Sequence, residues 1–167
     1  MRVFITGEPG VGKTTLIKRI YELLKDKYKV GGFITEEIRE KGRRVGFKIK
    51  DFSGNEEILA YVGEGHPRVG KYRVYVKNLD KVLESLSWED KDIILIDEIG
   101  AMEFKSKKFK EFLDKVLSSN KDLIATLHRH YVNKFKDFGR VIRLEKNNRE
   151  EIFKHIVKVL ENEGYVL

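Results

Sequence analysis

An α/β fold, in which a mostly parallel sheet lies between two helical layers, is predicted from two observations. Nearly continuous aliphatic runs alternate along the chain with segments whose apolar residues recur at helical spacing. The first aliphatic run also ends in a glycine-rich turn that opens straight into an amphipathic helix. At roughly 100–200 residues per domain, the 167 residues are read as one domain, 1–167. Hydrophobic residues at 41% exclude wholesale disorder. The absence of cysteine excludes a disulfide scaffold, a thiol nucleophile and a thiolate metal site.

The elements follow in order. Val3, Phe4 and Ile5 begin a buried strand, and Leu16, Ile17, Ile20, Leu23 and Leu24 mark one face of the helix after the turn. Residues 30–35 read as the second strand. Residues 36–76 then break the rhythm. Strands at 37–39 and 45–49 flank a hairpin turn at Glu40-Lys41-Gly42, and further strands are expected at 58–62 and 72–76, with a loop at 63–67 between them. This stretch is read as an antiparallel insertion within the domain. The alternation resumes with a helix carrying Leu79, Val82, Leu83 and Leu86, and a strand at 92–96 that ends in Asp97-Glu98. A helix faced by Phe109, Phe112, Leu113, Val116 and Leu117 follows, then strands at 122–127 and 140–144. Ile152, Phe153, Ile156, Val157 and Leu160 stripe the closing helix.

Gly7-Glu8-Pro9-Gly10-Val11-Gly12-Lys13-Thr14 satisfies the pattern G-x-x-x-x-G-K-[ST] between a strand and a helix. Glycines let successive backbone N–H groups turn inward on phosphate oxygens, and the helix N-terminus adds its positive dipole end. This predicts a P-loop running through Thr15, with Lys13 on the β- and γ-phosphates and the Thr14 hydroxyl on Mg²⁺. The third glycine of a dinucleotide fingerprint is missing. Ile93-Ile94-Leu95-Ile96-Asp97-Glu98 has the form of a Walker B strand. Asp97 is expected to hold Mg²⁺ through water, and Glu98 to act as the base on an attacking water. Thr126, His128 and Arg129, at the end of another strand, are candidates for contact with the γ-phosphate. Asp97-Glu98-Ile99-Gly100 fits D-x-x-G, but Asn133-Lys134-Phe135-Lys136 carries lysine where a guanine reader needs aspartate, so base selectivity should be weak. His66 and His155 lack metal-ligand spacing and are read as structural or surface residues.

The net charge of +7 is read as a lysine-rich solvated surface, with 37% charged residues of both signs. High Lys and Glu without Gln or Cys resembles a thermophile's composition. The strongest basic clusters, Lys41-Gly42-Arg43-Arg44 and Lys105-Ser106-Lys107-Lys108, belong to no nucleic-acid module, and no aromatic residues interleave with them as a stacking platform. Nucleic acid is therefore a partner without motif support. No secretory signal is visible, and the densest aliphatic run, at 93–96, is too short to span a membrane. A cytoplasmic monomer is expected.

Taken together, these residues resemble the THEP1 nucleoside-triphosphatases over essentially the whole chain. Beyond the P-loop, the resemblance is carried by Gly31-Gly32-Phe33-Ile34-Thr35-Glu36-Glu37-Ile38-Arg39, Arg68-Val69-Gly70 and the extended Walker B, Asp97-Glu98-Ile99-Gly100-Ala101-Met102-Glu103. Ala125-Thr126-Leu127-His128-Arg129 and Asn148-Arg149 complete it. The resemblance implies a P-loop fold of RecA/AAA+-like strand order, with another strand between the Walker A and Walker B strands. It implies Mg²⁺-dependent hydrolysis of ATP, GTP, CTP, UTP and TTP, with diphosphates as poorer substrates. Arg129 and Arg149 are the in-cis candidates for an arginine finger. A nucleotide or small-molecule kinase, with its acceptor bound by residues 36–76, and an NTP-switched nucleic-acid module are the alternatives.

Overall fold

The computed structural model describes residues 1–167. The chain runs β1 (Arg2–Thr6), α1 (Lys13–Leu24), β2 (Val30–Glu40), β3 (Arg43–Asp51), β4 (Glu56–Val62), β5 (Arg68–Val69), β6 (Tyr72–Val74) and α2 (Val76–Ser85). It continues through β7 (Ile93–Ile99), α3 (Lys107–Leu117), β8 (Asp122–Leu127), α4 (Val132–Phe135), β9 (Arg140–Arg143) and α5 (Arg149–Asn162). Short 3₁₀ turns occupy Glu103–Lys105 and Arg129–Tyr131.

All nine strands form one sheet in the order β5-β6-β4-β3-β2-β7-β8-β1-β9. Pairing is parallel from β2 through β7, β8 and β1 to β9, and antiparallel from β2 through β3, β4 and β6 to β5. The P-loop strand β1 is separated from β7 by β8, as the RecA-like order requires. The strand period of two distributes the core. Val3, Ile5, Ile93 and Leu95 pack under α1 and α5, while Phe4, Ile94, Ile96 and Leu123 pack under α2 and α3. Each such side chain, fully buried, contributes roughly 1.5–3 kcal/mol. The result is the predicted three-layer α/β arrangement. No helix is long and apolar enough to cross a membrane.

Several boundaries differ from the sequence expectation, each for a local reason. The strands expected at 30–35 and 37–39 are one strand, β2, whose first half pairs with β7 and whose second half pairs with β3. The insertion is therefore a continuation of the same sheet. The strand expected at 72–76 stops at Val74, because the Tyr75 carbonyl already accepts from Asn78 and Leu79 and so starts α2. The two-residue strand β5 lies inside the Arg68-Val69-Gly70 segment. β7 does not end before Asp97-Glu98: it runs on to Ile99, which pairs with Leu127 after a register shift. The Lys105–Lys108 cluster is not simply an exposed first turn. Ser106 is fully buried and caps α3 by accepting from the Phe109 N–H at 3.0 Å, a contact of about 1 kcal/mol.

Candidate active site

The C-terminal ends of β1, β7 and β8 and the overshooting half of β2 enclose a cleft of about 680 Å³. One end is the P-loop. The apolar residues of β1 bury it in the sheet, and the stripe Leu16, Ile17, Ile20 and Leu24 seats α1 against the same face. Gly12, at φ 110°, turns the chain into α1 without a side-chain cap. First-turn N–H groups are thereby left for an external acceptor, the arrangement that binds anions at helix N-termini. Pro9, Gly10, Gly12, Lys13, Thr14 and Thr15 line the cleft, whereas Gly7 and Val11 are buried against the core beside Leu144 and Glu8 is exposed.

The Walker segments meet through side chains. Thr14 Oγ1 donates to Asp97 Oδ2 at 2.6 Å, and Thr126 Oγ1 donates to Asp97 Oδ1 at 2.6 Å. Lys13 Nζ donates to the Gly7 carbonyl at 2.7 Å and lies 3.6 Å from Glu98 Oε1. Burial raises the Asp97 carboxyl above its ordinary range, against the opposing pull of the Thr126 and Thr14 hydroxyls, the Thr35 N–H and Lys13. Burial also raises Glu98, opposed by Lys13 and reinforced by Asp97. A hard divalent cation suits this donor set. It consists of oxygen ligands only, and a buried carboxylate whose charge a cation would compensate. No three His, Asp or Glu side chains cluster as an all-protein metal site. A cation here would therefore complete its shell with phosphate oxygens and water, as Mg²⁺ does at nucleotide sites.

A third carboxyl stands behind these two. Glu103 lines the cleft but is only 4% exposed. Its carboxyl is raised well above the ordinary range by burial and then by the neighbouring Glu98 charge. Gly100 explains how the two acids can share so small a space. A β-carbon on Gly100 would lie 2.9 Å from Glu98 Oε2 and 3.2 Å from Glu103 Oε1. Sequence reasoning met Glu103 only as part of the extended Walker B. The chain turns at residues 100–102, where the Phe104 N–H donates to the Gly100 carbonyl at 3.1 Å, and nothing in the spacing announces that return.

The remaining candidates separate. Thr126 is fully buried and addresses Asp97 rather than the cleft. His128 does line the cleft, and burial, His130 and Lys13 all lower its pKa. Arg129 pairs with Glu8 on the outer side of the P-loop, and Arg143 lies 3.8 Å from the same carboxylate. Arg149 Nε donates to the Val11 carbonyl at 2.8 Å and packs against Gly12. Neither Arg129 nor Arg149 lines the cleft. His66 and His155 are exposed, and neither lines the cleft. Asn133–Lys136 forms most of α4 and its end, with Phe135 buried in the core and Lys134 over the Phe104 ring, so it serves packing. The far wall of the cleft comes from β3 to β6 and includes Arg44, Phe47, Leu59, Val69 and Tyr72. Of these, the sequence marks only Arg44, in the basic cluster at 41–44, and Val69, in the Arg68-Val69-Gly70 segment.

A family model described as NTPase matches residues 2–157. A nucleoside-triphosphatase THEP1 of Methanocaldococcus jannaschii is 59% identical over 162 residues, covering 94% of this chain and 95% of the relative. The THEP1 of Archaeoglobus fulgidus is 47% identical over 166 residues, covering 96% and 99%. Among solved structures, THEP1 from the hyperthermophile Aquifex aeolicus superposes with a TM-score of 0.83 at 34% identity, covering 96% of this chain and 99% of that one.

Proposed function

This chain belongs to the THEP1 nucleoside-triphosphatase family, and from that premise we propose that its P-loop end hydrolyses nucleoside triphosphates to diphosphate and phosphate. The observation that carries this reading is the junction of the two Walker segments, Thr14 on Asp97 and Lys13 beside Glu98. The inward N–H groups of Gly10 to Thr15 cradle the phosphates, and Lys13 releases the Gly7 carbonyl to neutralise charge on the β- and γ-oxygens. Thr14 and Asp97 would hold Mg²⁺, which when bound supplies charge neutralisation across the same oxygens. Thr126 fixes the Asp97 carboxylate in the orientation that Thr14 needs.

Glu98 is the base. Burial raises its carboxyl while Lys13 opposes the rise and keeps the charged form accessible, so it can accept a proton from the attacking water. Glu103 stands behind it as a neutral acid, because two adjacent buried carboxylates do not both ionise readily. Arg149 and Arg129 contact the loop at the Val11 carbonyl and at Glu8, outside the cleft.

Base choice is broad in this reading, since the segment nearest to a guanine box is packed into α4. Competition kinetics across ATP, GTP, CTP, UTP and TTP test it. The expected spread in kcat/KM is about tenfold. A preference of the 10⁴–10⁵ order that buried hydrogen-bond readout produces would overturn broad specificity.

A further inference from the structure

Thr126, His128 and Arg129 close the end of β8, and two of them are already engaged. Thr126 donates to Asp97 Oδ1 at 2.6 Å, and Arg129 pairs with Glu8. His128 is left, and it lines the cleft. Because β8 lies between β7 and β1 in the sheet, the residue that follows it stands between the Walker B strand and the P-loop strand. Three hydrogen bonds fix His128 there. Its N–H donates to the carbonyl of Ile99, the residue after Glu98, at 3.0 Å. Its carbonyl accepts from the Tyr131 N–H at 2.9 Å. Its ring Nδ1 accepts from the His130 N–H at 3.2 Å.

The ring contact decides what this side chain can offer. Nδ1 gives its lone pair to the His130 N–H, so the ring proton sits on Nε2, and a doubly protonated ring would lose the contact. Burial, followed by the neighbouring His130, Lys13 and Arg129, lowers the pKa and favours the same neutral ring. Nε2 has no partner within the protein and remains accessible. The other basic side chains of the cleft are committed. Arg44 lies 3.3 Å from Glu37 and donates to the Tyr72 hydroxyl at 3.0 Å, and Lys18 lies 3.3 Å from Glu36. Lys13 is shared between the Gly7 carbonyl and Glu98. His128 thus presents a rigid, unused N–H at the P-loop end. Being neutral, it sets no second positive charge against Lys13.

Resting on the P-loop assignment above, we propose that His128 Nε2–H donates to a terminal oxygen of the γ-phosphate, and that this contact is how the site favours a triphosphate over a diphosphate. A diphosphate seated in the loop ends at the β-phosphorus and leaves Nε2 without a partner. Lys13 reaches β- as well as γ-oxygens, so it discriminates less between the two. During transfer the γ-phosphoryl group spreads its charge over three equatorial oxygens. A donor already held toward one of them needs no rearrangement as that charge develops.

The test compares two substitutions in the full chain. His128→Asn keeps an acceptor for the His130 N–H but is too short to place a donor where Nε2 stands, whereas His128→Gln carries its amide N–H close to that position. In calorimetric titration with Mg²⁺ present, the β,γ-imido analogue of ATP should bind His128→Asn about tenfold more weakly than wild type, or worse, while ADP affinity stays within about twofold, since only one hydrogen bond to a charged group is removed. The same variant should lose about tenfold or more in kcat for ATP, and His128→Gln should recover both quantities to within about threefold of wild type. Wild-type affinity of His128→Asn for the imido analogue overturns the proposal. So does an equal loss of ADP and triphosphate affinity, which would mean that the ring only holds the loop. So does a His128→Gln variant that binds the imido analogue no better than His128→Asn. Lys13→Ala keeps the two readings apart. Unchanged triphosphate affinity in that variant removes the P-loop assignment itself, whereas weakened affinity there beside wild-type behaviour in His128→Asn removes only the role of His128.

Discussion

At the P-loop end of the cleft, the functional groups come from two contiguous stretches, Gly10 to Thr15 and Asp97-Glu98. At the far end, Arg44, Phe47, Leu59, Val69 and Tyr72 come from four strands joined by antiparallel pairing. The difference follows from the chemistry at each end. Phosphate oxygens are held by backbone N–H groups and a lysine within one loop, so a single local turn must be right. The far wall is built from side chains on a sheet, and these can change residue by residue while the ladder beneath them stays intact. Substitutions at the two ends should therefore act on different observables.

The largest effect is expected from Lys13→Ala. Lys13 bridges the Gly7 carbonyl and Glu98 in the free protein and is assigned to the β- and γ-phosphates in the bound one. Charge-assisted contacts of this kind contribute about 1.5–3 kcal/mol each. Turnover should fall to background and triphosphate affinity should weaken, as read by phosphate release and calorimetric titration. Wild-type-like kcat/KM would take the loop out of the reaction.

Glu98→Gln should come next, lowering kcat by roughly 10²–10⁴, the range of general-base catalysis, with nucleotide affinity within a few-fold. Single-turnover phosphate release and Mg·nucleotide binding on one preparation separate these quantities. If binding is lost instead, Glu98 holds the nucleotide complex together and the base assignment fails.

The same contrast explains what could be read from the sequence. The β1–loop–α1 unit is local, so its spacing and its flanking apolar periodicity carried both fold and site. Asp97 and Glu98 were legible because they follow four aliphatics, Ile93 to Ile96. Their placement within β7 was not, since β7 continues only because Ile99 finds Leu127 on β8. The insertion was legible as strands and a turn. Its union with β2 depends on pairing between residues distant in the chain, and this brings Arg44 to Tyr72. Glu103 is the plainest omission. A glutamate after Met102 carries no mark of burial, and only the reversal around Gly100 sets it beside Glu98.

Gly100→Ala probes that crowding. The added methyl group would meet Glu98 Oε2 at 2.9 Å and Glu103 Oε1 at 3.2 Å, so one of the acids must move. Overpacking costs roughly 1–3 kcal/mol, and displacement of a reacting group by about 1 Å can cost on the order of 10²-fold. The expected result is a tenfold to hundredfold drop in kcat with a small fall in Tm. Unchanged kcat would show that the spacing of the two carboxyls does not matter to the reaction.

The smallest effect separates the two ends by the sign of a pH dependence. Glu103, behind the P-loop end, has its carboxyl raised well above 4.5 by burial and by Glu98. The folded protein therefore keeps a proton that the unfolded chain has lost, and the stability attributable to Glu103 declines as pH rises from about 4.5 upward. Glu36, toward the far wall, is opposite. Burial alone would raise its carboxyl, but hydrogen bonds from Lys50 and Lys18 outweigh burial and lower it. Its contribution is present above the ordinary carboxylate range and is lost as pH falls through the depressed value. Glu103→Gln removes a charge penalty while keeping the shape, so it should raise the Tm of the nucleotide-free protein by a few degrees at pH 8 and by less at pH 5. At this chain length, roughly 2–4 °C corresponds to each kcal/mol. Glu36→Gln should lower Tm by about a degree at pH 7, with the deficit shrinking toward pH 3, since a partly exposed ion pair contributes only about 0–1 kcal/mol. Scanning calorimetry of both variants across pH measures the two slopes. A Glu103→Gln gap that does not widen with pH would mean that Glu103 is charged in the folded state, and its role would then be that of a second carboxylate paired through the cleft rather than a neutral acid behind Glu98.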